Sequence, residues 1–166
     1  AFRTNATFRH LILAPRHPRR GDEIAQMLTA RGVAFARRSK GETPAPDTPV
    51  YLADTLGEMD HWYAMAGATL IGGSFAPKGG HTPWEPAAHR SAILHGPSLH
   101  NFAGAFAALD RAGGAIVLPG LDGLAAALNG LDADGQARLA QAAKAALRAT
   151  DNGDAVVTRL LQAIRS

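Results

Sequence analysis

Six short apolar runs, each closed by proline, glycine or a polar residue, limit this chain to a layered α/β fold. They occupy residues 9–14, 33–37, 50–53, 68–71, 92–95 and 115–118. Most are separated by segments of helical spacing. Residues 22–31 place Ile24, Met27 and Leu28 on one face and stop at Gly32. Further helices are expected over 57–66, 83–89 and 101–112, and beyond Pro119 over 121–129, 134–149 and 153–164. The runs lack a clear polar alternation, so both faces of their sheet should be buried. Strands alternating with helices read as right-handed βαβ crossovers. The expectation is a Rossmann-like, doubly wound parallel sheet of about six strands, followed by alanine-rich helices that are good helix formers.

Composition narrows the function. Hydrophobic residues make up 46% of the 166 and charged residues 19%, which excludes a disordered chain. No run approaches the roughly 20 apolar residues of a membrane-spanning helix. There is no cysteine, hence no disulfide, thiolate metal site or cysteine nucleophile. The net charge of +3 suits an anionic small molecule. It does not supply the dense basic stripe of a nucleic-acid binder, and most of Arg16, Arg19, Arg20, Arg31, Arg37, Arg38 and Lys40 read as solvated helix and loop positions. The chain starts at Ala1 and enters a strand almost at once. Residues 1–166 are therefore read as a single domain, a piece of a longer protein.

Open parallel sheets bind ligands beyond the carboxyl ends of their strands. Four loops at that edge are rich in polar residues or glycine: 15–18, 54–58, 72–82 and 96–101. In the third, Gly72, Gly73 and Ser74 allow backbone N–H groups to approach an anion, and Gly79 and Gly80 repeat the opportunity before a helix. Thr82 is expected as that helix's N-cap with Pro83 at its first position, making the helix start a phosphate seat. The segment is neither a Walker loop nor a GxGxxG fingerprint, which argues against a P-loop NTPase or a dehydrogenase. Glu85, in the first helical turn, either complements the dipole or accepts both hydroxyls of a ribose. Lys78 and His81 are possible stabilisers of a leaving phosphate, and Arg16 and His17 can donate to a phosphate or carboxylate or pair with Asp22 and Glu23. Asn101 can cap a helix. Trp62, Tyr63 and Trp84 read as packing residues. His81, Glu85 and His89 have a spacing that invites a metal, but Pro83 leaves His81 outside the helix, so no metal is expected.

Taken in order, Leu13-Ala-Pro-Arg-His-Pro-Arg19, Arg38-Ser-Lys-Gly-Glu42, Asp54-Thr-Leu-Gly-Glu58, Gly72-Gly-Ser74, Gly79-Gly-His-Thr-Pro-Trp-Glu-Pro-Ala-Ala88 and His100-Asn-Phe102 resemble the C-terminal domain of the 3-deoxy-D-manno-octulosonic acid (Kdo) transferases. The resemblance implies the C-terminal half of a two-domain GT-B glycosyltransferase, which builds the lipopolysaccharide inner core of Gram-negative bacteria at the cytoplasmic face of the inner membrane. It implies the donor substrate CMP-Kdo, no cofactor, and a lipid A precursor bound by the other half, which also carries the catalytic base. The same resemblance places Arg16, His17, Gly57, Glu58, Gly72, Gly73, Ser74, Gly79, Gly80, His81, Thr82, Glu85 and Asn101 around CMP-Kdo. Thr82 replaces the asparagine usual in the family, and Trp84 stands where a leucine is expected. Two alternatives remain open: the nucleotide-binding half of a UDP- or GDP-sugar transferase, and a noncatalytic binding module.

Overall fold

The computed structural model describes residues 8–150 of the chain, so the helix expected over 153–164 lies outside the described residues. Each apolar run contains a strand: β1 (Leu11–Leu13), β2 (Phe35–Arg37), β3 (Val50–Leu52), β4 (Ala68–Ile71), β5 (Ala92–His95) and β6 (Ala115–Val117). The helices are α1 (Gly21–Ala30), α2 (Met59–Met65), α3 (Trp84–Ala88), α4 (Ala103–Arg111), α5 (Leu124–Asn129) and α6 (Ala133–Thr150).

All strand pairs are parallel, as the alternation of strand and helix requires. The ladders form two sheets of three, ordered β1-β3-β2 and β4-β5-β6. The central strands are the most enclosed. Val50 and Leu52 of β3 are 1% and 0% exposed, and every residue of β5 is buried. The edge strands are more open, with Leu11 of β1 and Val117 of β6 exposed. A Cβ on Gly67 would lie 3.2 Å from the Phe8 ring, so the approaches to β1 and β4 run side by side.

Each sheet has its own core. Ile24 and Leu28 of α1 close over Val50 and Leu52. On the second sheet, Phe106 and Leu109 of α4 and Ala143 and Leu147 of α6 pack with Ile71, Ala87 and Ile93. Burying a side chain of this size contributes about 1.5–3 kcal/mol, so the second cluster is the larger reservoir of stability. The alanines of α6 have a packing role as well as a helical one. A Cβ on Gly114 would come within 2.7 Å of the Ala143 backbone nitrogen, so α6 lies directly on the chain entering β6.

Helix starts depart from the sequence reading for local reasons. Gly57 has φ +80°, outside right-handed helical space, so α2 begins at Met59 rather than at residue 57. The helices expected from Asn101 and Leu121 each open with a tight 3-10 turn, His100–Phe102 and Leu121–Gly123, before continuing as α4 and α5.

Candidate functional site

The loop leaving β4 is held in place by the loop leaving β5. Ser74, fully buried in the 3-10 turn Gly72–Phe75, donates its hydroxyl to the Ile71 carbonyl at 2.5 Å. Its oxygen accepts the Gly96 N–H at 2.6 Å, and its carbonyl accepts the Ser98 N–H at 2.9 Å. Gly96 has no room for a side chain: a Cβ there would lie 2.6 Å from the Ser74 carbonyl oxygen. The Asn101 side-chain amide donates to the Lys78 carbonyl at 2.8 Å, and its backbone N–H donates to the Gly79 carbonyl at 3.2 Å. Asn101 thus clasps the glycine segment rather than serving only as a helix cap.

Gly79 and Gly80 have φ of +77° and +74°, a left-handed pair that side chains rarely adopt. A Cβ on Gly79 would also meet His100 Nε2 at 2.5 Å. With the Gly79 carbonyl held by Asn101, the N–H groups of Gly79, Gly80 and His81 make no hydrogen bond to any described residue. Gly73 lies against the Gly80 backbone, and Gly72 faces open space. The segment is a rigid backbone rim with three consecutive free donors, a chemistry suited to an oxyanion. Lys78 and His81 are exposed on the same segment, and Lys78 makes no ion pair among the described residues.

Helix α3 corrects one expectation. Pro83, not Thr82, occupies the N-cap, with φ −88° and ψ −9°, and the first helical position falls to Trp84. The Thr82 hydroxyl accepts the Trp84 N–H only at 3.4 Å. With five residues, α3 has a small macrodipole, so its N-terminus adds little to the free glycine N–H groups. Glu85 is exposed on the first turn of α3. Burial, reinforced by the Glu85 charge, pushes the Tyr63 phenol up to about 12.

The loops of the first sheet contribute differently. Arg16 and His17 are exposed after β1. The partners considered for them are taken: Asp22 by Arg37 at 2.6 Å and Glu23 by Arg20 at 3.0 Å. Glu58, next to Gly57, is already engaged. The Arg38 guanidinium binds both its oxygens, at 2.5 to 3.1 Å, and the Thr55 hydroxyl donates to it as well. These bonds, Arg38 first, hold its carboxyl down at about 2. Arg38 is the residue here whose role the sequence reading missed, having left it as a solvated charge.

Two buried clusters also escaped that reading. Asp54, only 1% exposed at the end of β3, accepts from Arg37 Nε at 2.5 Å and from the Ser39 backbone and hydroxyl at 3.0 and 2.8 Å. Burial alone would raise its pKa, but these donors hold it below the usual carboxylate range. His95, fully buried at the end of β5, contacts the Gly96 carbonyl and the Asp110 carboxylate, each at 2.9 Å. A signal existed for both, since each places an ionisable residue at a carboxyl strand end, but pairing them requires knowing which strands and helices are neighbours.

The metal arrangement is not assembled. His89 turns to Asp60 at 3.2 Å and stacks on Tyr63, and no group of three potential ligands converges among the described residues. Trp62 is buried edge-on against Tyr51, as expected of a packing residue. Trp84 meets Phe102 edge-on at 6.0 Å but remains 38% exposed, so it is only partly a packing residue. Two concave surfaces, one beside Asp22 and Arg37 and one between Gly113 and Leu131, lie away from the glycine rim. Among the described residues, no helix is long and apolar enough to cross a membrane.

No family model matches the chain. It is 44% identical over 110 residues to the 3-deoxy-D-manno-octulosonic acid transferase of Bordetella pertussis, covering 66% of this chain and 26% of that protein. The Haemophilus influenzae transferase of the same name is 38% identical over 92 residues, covering 55% of this chain and 22% of the relative. A probable mitochondrial 3-deoxy-D-manno-octulosonic acid transferase of Arabidopsis thaliana is also 38% identical, over 104 residues. The chain thus spans about a quarter of the length of the curated relatives it matches. Its fold matches the crystal structure of the C-terminal CMP-Kdo binding domain of WaaA from Acinetobacter baumannii, with a TM-score of 0.79 and 28% identity over 83% of this chain and 73% of that one. Sequence and fold agree on one kinship.

Proposed function

From this kinship with the Kdo transferases, we propose that the chain is the donor-binding half of such an enzyme and holds CMP-Kdo at the glycine rim. One observation supports this reading above the rest: the left-handed Gly79–Gly80 pair, braced by Asn101 and Ser74, leaves three adjacent N–H groups free beside an exposed carboxylate, Glu85. The N–H groups take the phosphate of the cytidylate, and Glu85 takes the vicinal hydroxyls of its ribose. Arg16 and His17, free of Asp22 and Glu23, are the hydrogen-bond donors for the carboxylate of the sugar acid. Glu58 acts through Arg38 and Thr55 to fix the Gly57 turn, and Ser74 contributes through its backbone, since its hydroxyl is fully used. Thr82 completes the wall in place of an asparagine.

During transfer the cytidylate leaves as an anion, and charge grows on its phosphate in the transition state. Preorganised N–H donors, with Lys78 and His81, stabilise that growing charge without reorganising. The acceptor hydroxyl, on a lipid A precursor held by the other half of the enzyme, attacks the anomeric carbon after giving its proton to a base across the cleft. On this reading the chain alone binds the donor and does not transfer sugar, and it reaches the cytoplasmic face of the inner membrane only as part of the longer protein.

The test is nucleotide binding followed by amide NMR and calorimetry. CMP should bind and shift the amides of Gly80, His81 and Glu85. Equal or tighter binding of UDP, GDP or ADP would reject the cytidylate assignment in favour of another sugar-nucleotide transferase. Absence of binding by every nucleotide would leave a noncatalytic module.

A further inference from the structure

We propose that His100 is a direct ligand contact of the glycine rim: its imidazole joins the backbone N–H groups of Gly79, Gly80 and His81 as a further donor to the bound phosphate. The position follows from a local pattern. In Leu99-His-Asn-Phe102 two apolar residues bracket two polar ones. The 3-10 turn His100–Phe102 brings residues three apart onto one side, so Leu99 and Phe102 face the same way, and both pack on the core of the second sheet. His100 and Asn101 are left against the glycine segment. A Cβ on Gly79 would lie 2.5 Å from His100 Nε2 and 2.7 Å from the Asn101 amide nitrogen, so both side chains stand directly beside Gly79.

The two polar neighbours differ in what they have left to give. The Asn101 amide is spent on the Lys78 carbonyl at 2.8 Å. His100 is exposed, and neither of its ring nitrogens makes a hydrogen bond or ion pair with a described residue. Its root is nonetheless fixed. The Asn101 N–H donates to the Gly79 carbonyl at 3.2 Å, the Phe102 N–H donates to the Leu99 carbonyl at 3.0 Å, and Phe102 meets Trp84 edge-on. The ring therefore stands, uncommitted, beside the residue whose own N–H is free. An imidazole carries an N–H whether neutral or charged, so the role requires no particular protonation state, and a ring without partners can present that proton at Nε2. An oxyanion seated on the glycine N–H groups is the acceptor it lacks. Lys78 brings charge to the same place on a long, flexible stem from the loop after β4. His100 comes from the loop after β5, so with it the anion is gripped from two strand exits. This contact deepens the donor-site reading above and rests on it.

The test sets CMP against cytidine, which lacks the phosphate, in NMR titrations of wild type, His100→Ala and His100→Phe at one pH. Loss of the donor should weaken CMP about tenfold in both variants, the low end for a hydrogen bond to a charged group, and leave cytidine unchanged. His100→Phe keeps a ring beside Gly79, so recovery of CMP affinity in that variant would show that the ring only packs, and would overturn the proposal. Equal CMP affinity in wild type and His100→Ala, or equal losses for CMP and cytidine, would overturn it as well. The wild-type chain supplies a measurement that no variant's folding can disturb: the His100 ring signals should move on saturation with CMP and stay in place with cytidine, and ring signals indifferent to CMP count against the contact. If wild type does not bind CMP, the donor reading falls and this contact falls with it. If wild type binds CMP and His100→Ala binds it equally, the contact alone is lost.

Discussion

At the residue scale, the site depends on which groups are free and which are already used. Glu85 is free, so replacing it should weaken ligand binding directly. Hydrogen bonds to a charged group contribute about 1.5–3 kcal/mol, which makes Glu85→Gln roughly 10- to 100-fold weaker for CMP by calorimetry. The same substitution removes the charge that helps hold up the Tyr63 phenol, so its ionisation should move to lower pH in an absorbance titration. A variant that loses CMP affinity with an unmoved phenol would separate Glu85 from Tyr63. Gly79 tests the scaffold instead. Gly79→Ala forces a side chain into left-handed space at about 1–2 kcal/mol and against His100, so it should lower the melting temperature and displace the rim together. The glycines and Glu85 were legible in the sequence because their chemistry is local. Ser74 and Glu58 were legible only as positions: their real partners, Gly96 and Arg38, lie 22 and 20 residues away.

At the element scale, strand ends are where this chain places its buried charges. Arg37 at the end of β2 and Asp54 after β3 tie the two exits together, with Arg37 13% and Asp54 1% exposed. Removing one partner of such a pair strands the other, at about 3–5 kcal/mol, so Arg37→Met should shift the denaturant midpoint far more than Arg20→Met, whose pair is exposed on α1. Similar losses in both variants would show that the Asp54 carboxylate finds other partners. The Arg38–Glu58 pair adds a pH signature. Its folded carboxyl sits at about 2 against an ordinary 4.5, so its contribution is complete above pH 4.5 and disappears as pH falls through about 2. Thermal midpoints of wild type and Glu58→Gln should therefore converge in acid and separate above pH 4.5. The six strands were legible because apolar runs between breakers leave little choice. The start of α3 was not, because Pro83 fits both the cap and the first helical position, and the backbone path from Gly80 decides between them.

At the scale of the whole molecule, the two sheets have separate ladders and separate cores, yet the residues assigned to one ligand leave both. Arg16, His17 and the Gly57 turn come from the first sheet; the glycine rim, Glu85 and Asn101 come from the second. A ligand that touches both must couple them. Bound at 100 times its Kd, CMP should add about 2.7 kcal/mol to stability, which for a chain of this size raises the melting temperature by roughly 5–10 °C. Where that protection falls is the sharper observation. Amide hydrogen exchange with CMP should slow in the loops after β1 and β3 as well as in those after β4 and β5, and the Val50 and Ile93 core amides should gain protection together, since neither sheet could then open without releasing the ligand. Protection confined to the second sheet would restrict the site to the glycine rim and Glu85, and would return Arg16, His17 and Gly57 to the solvated surface.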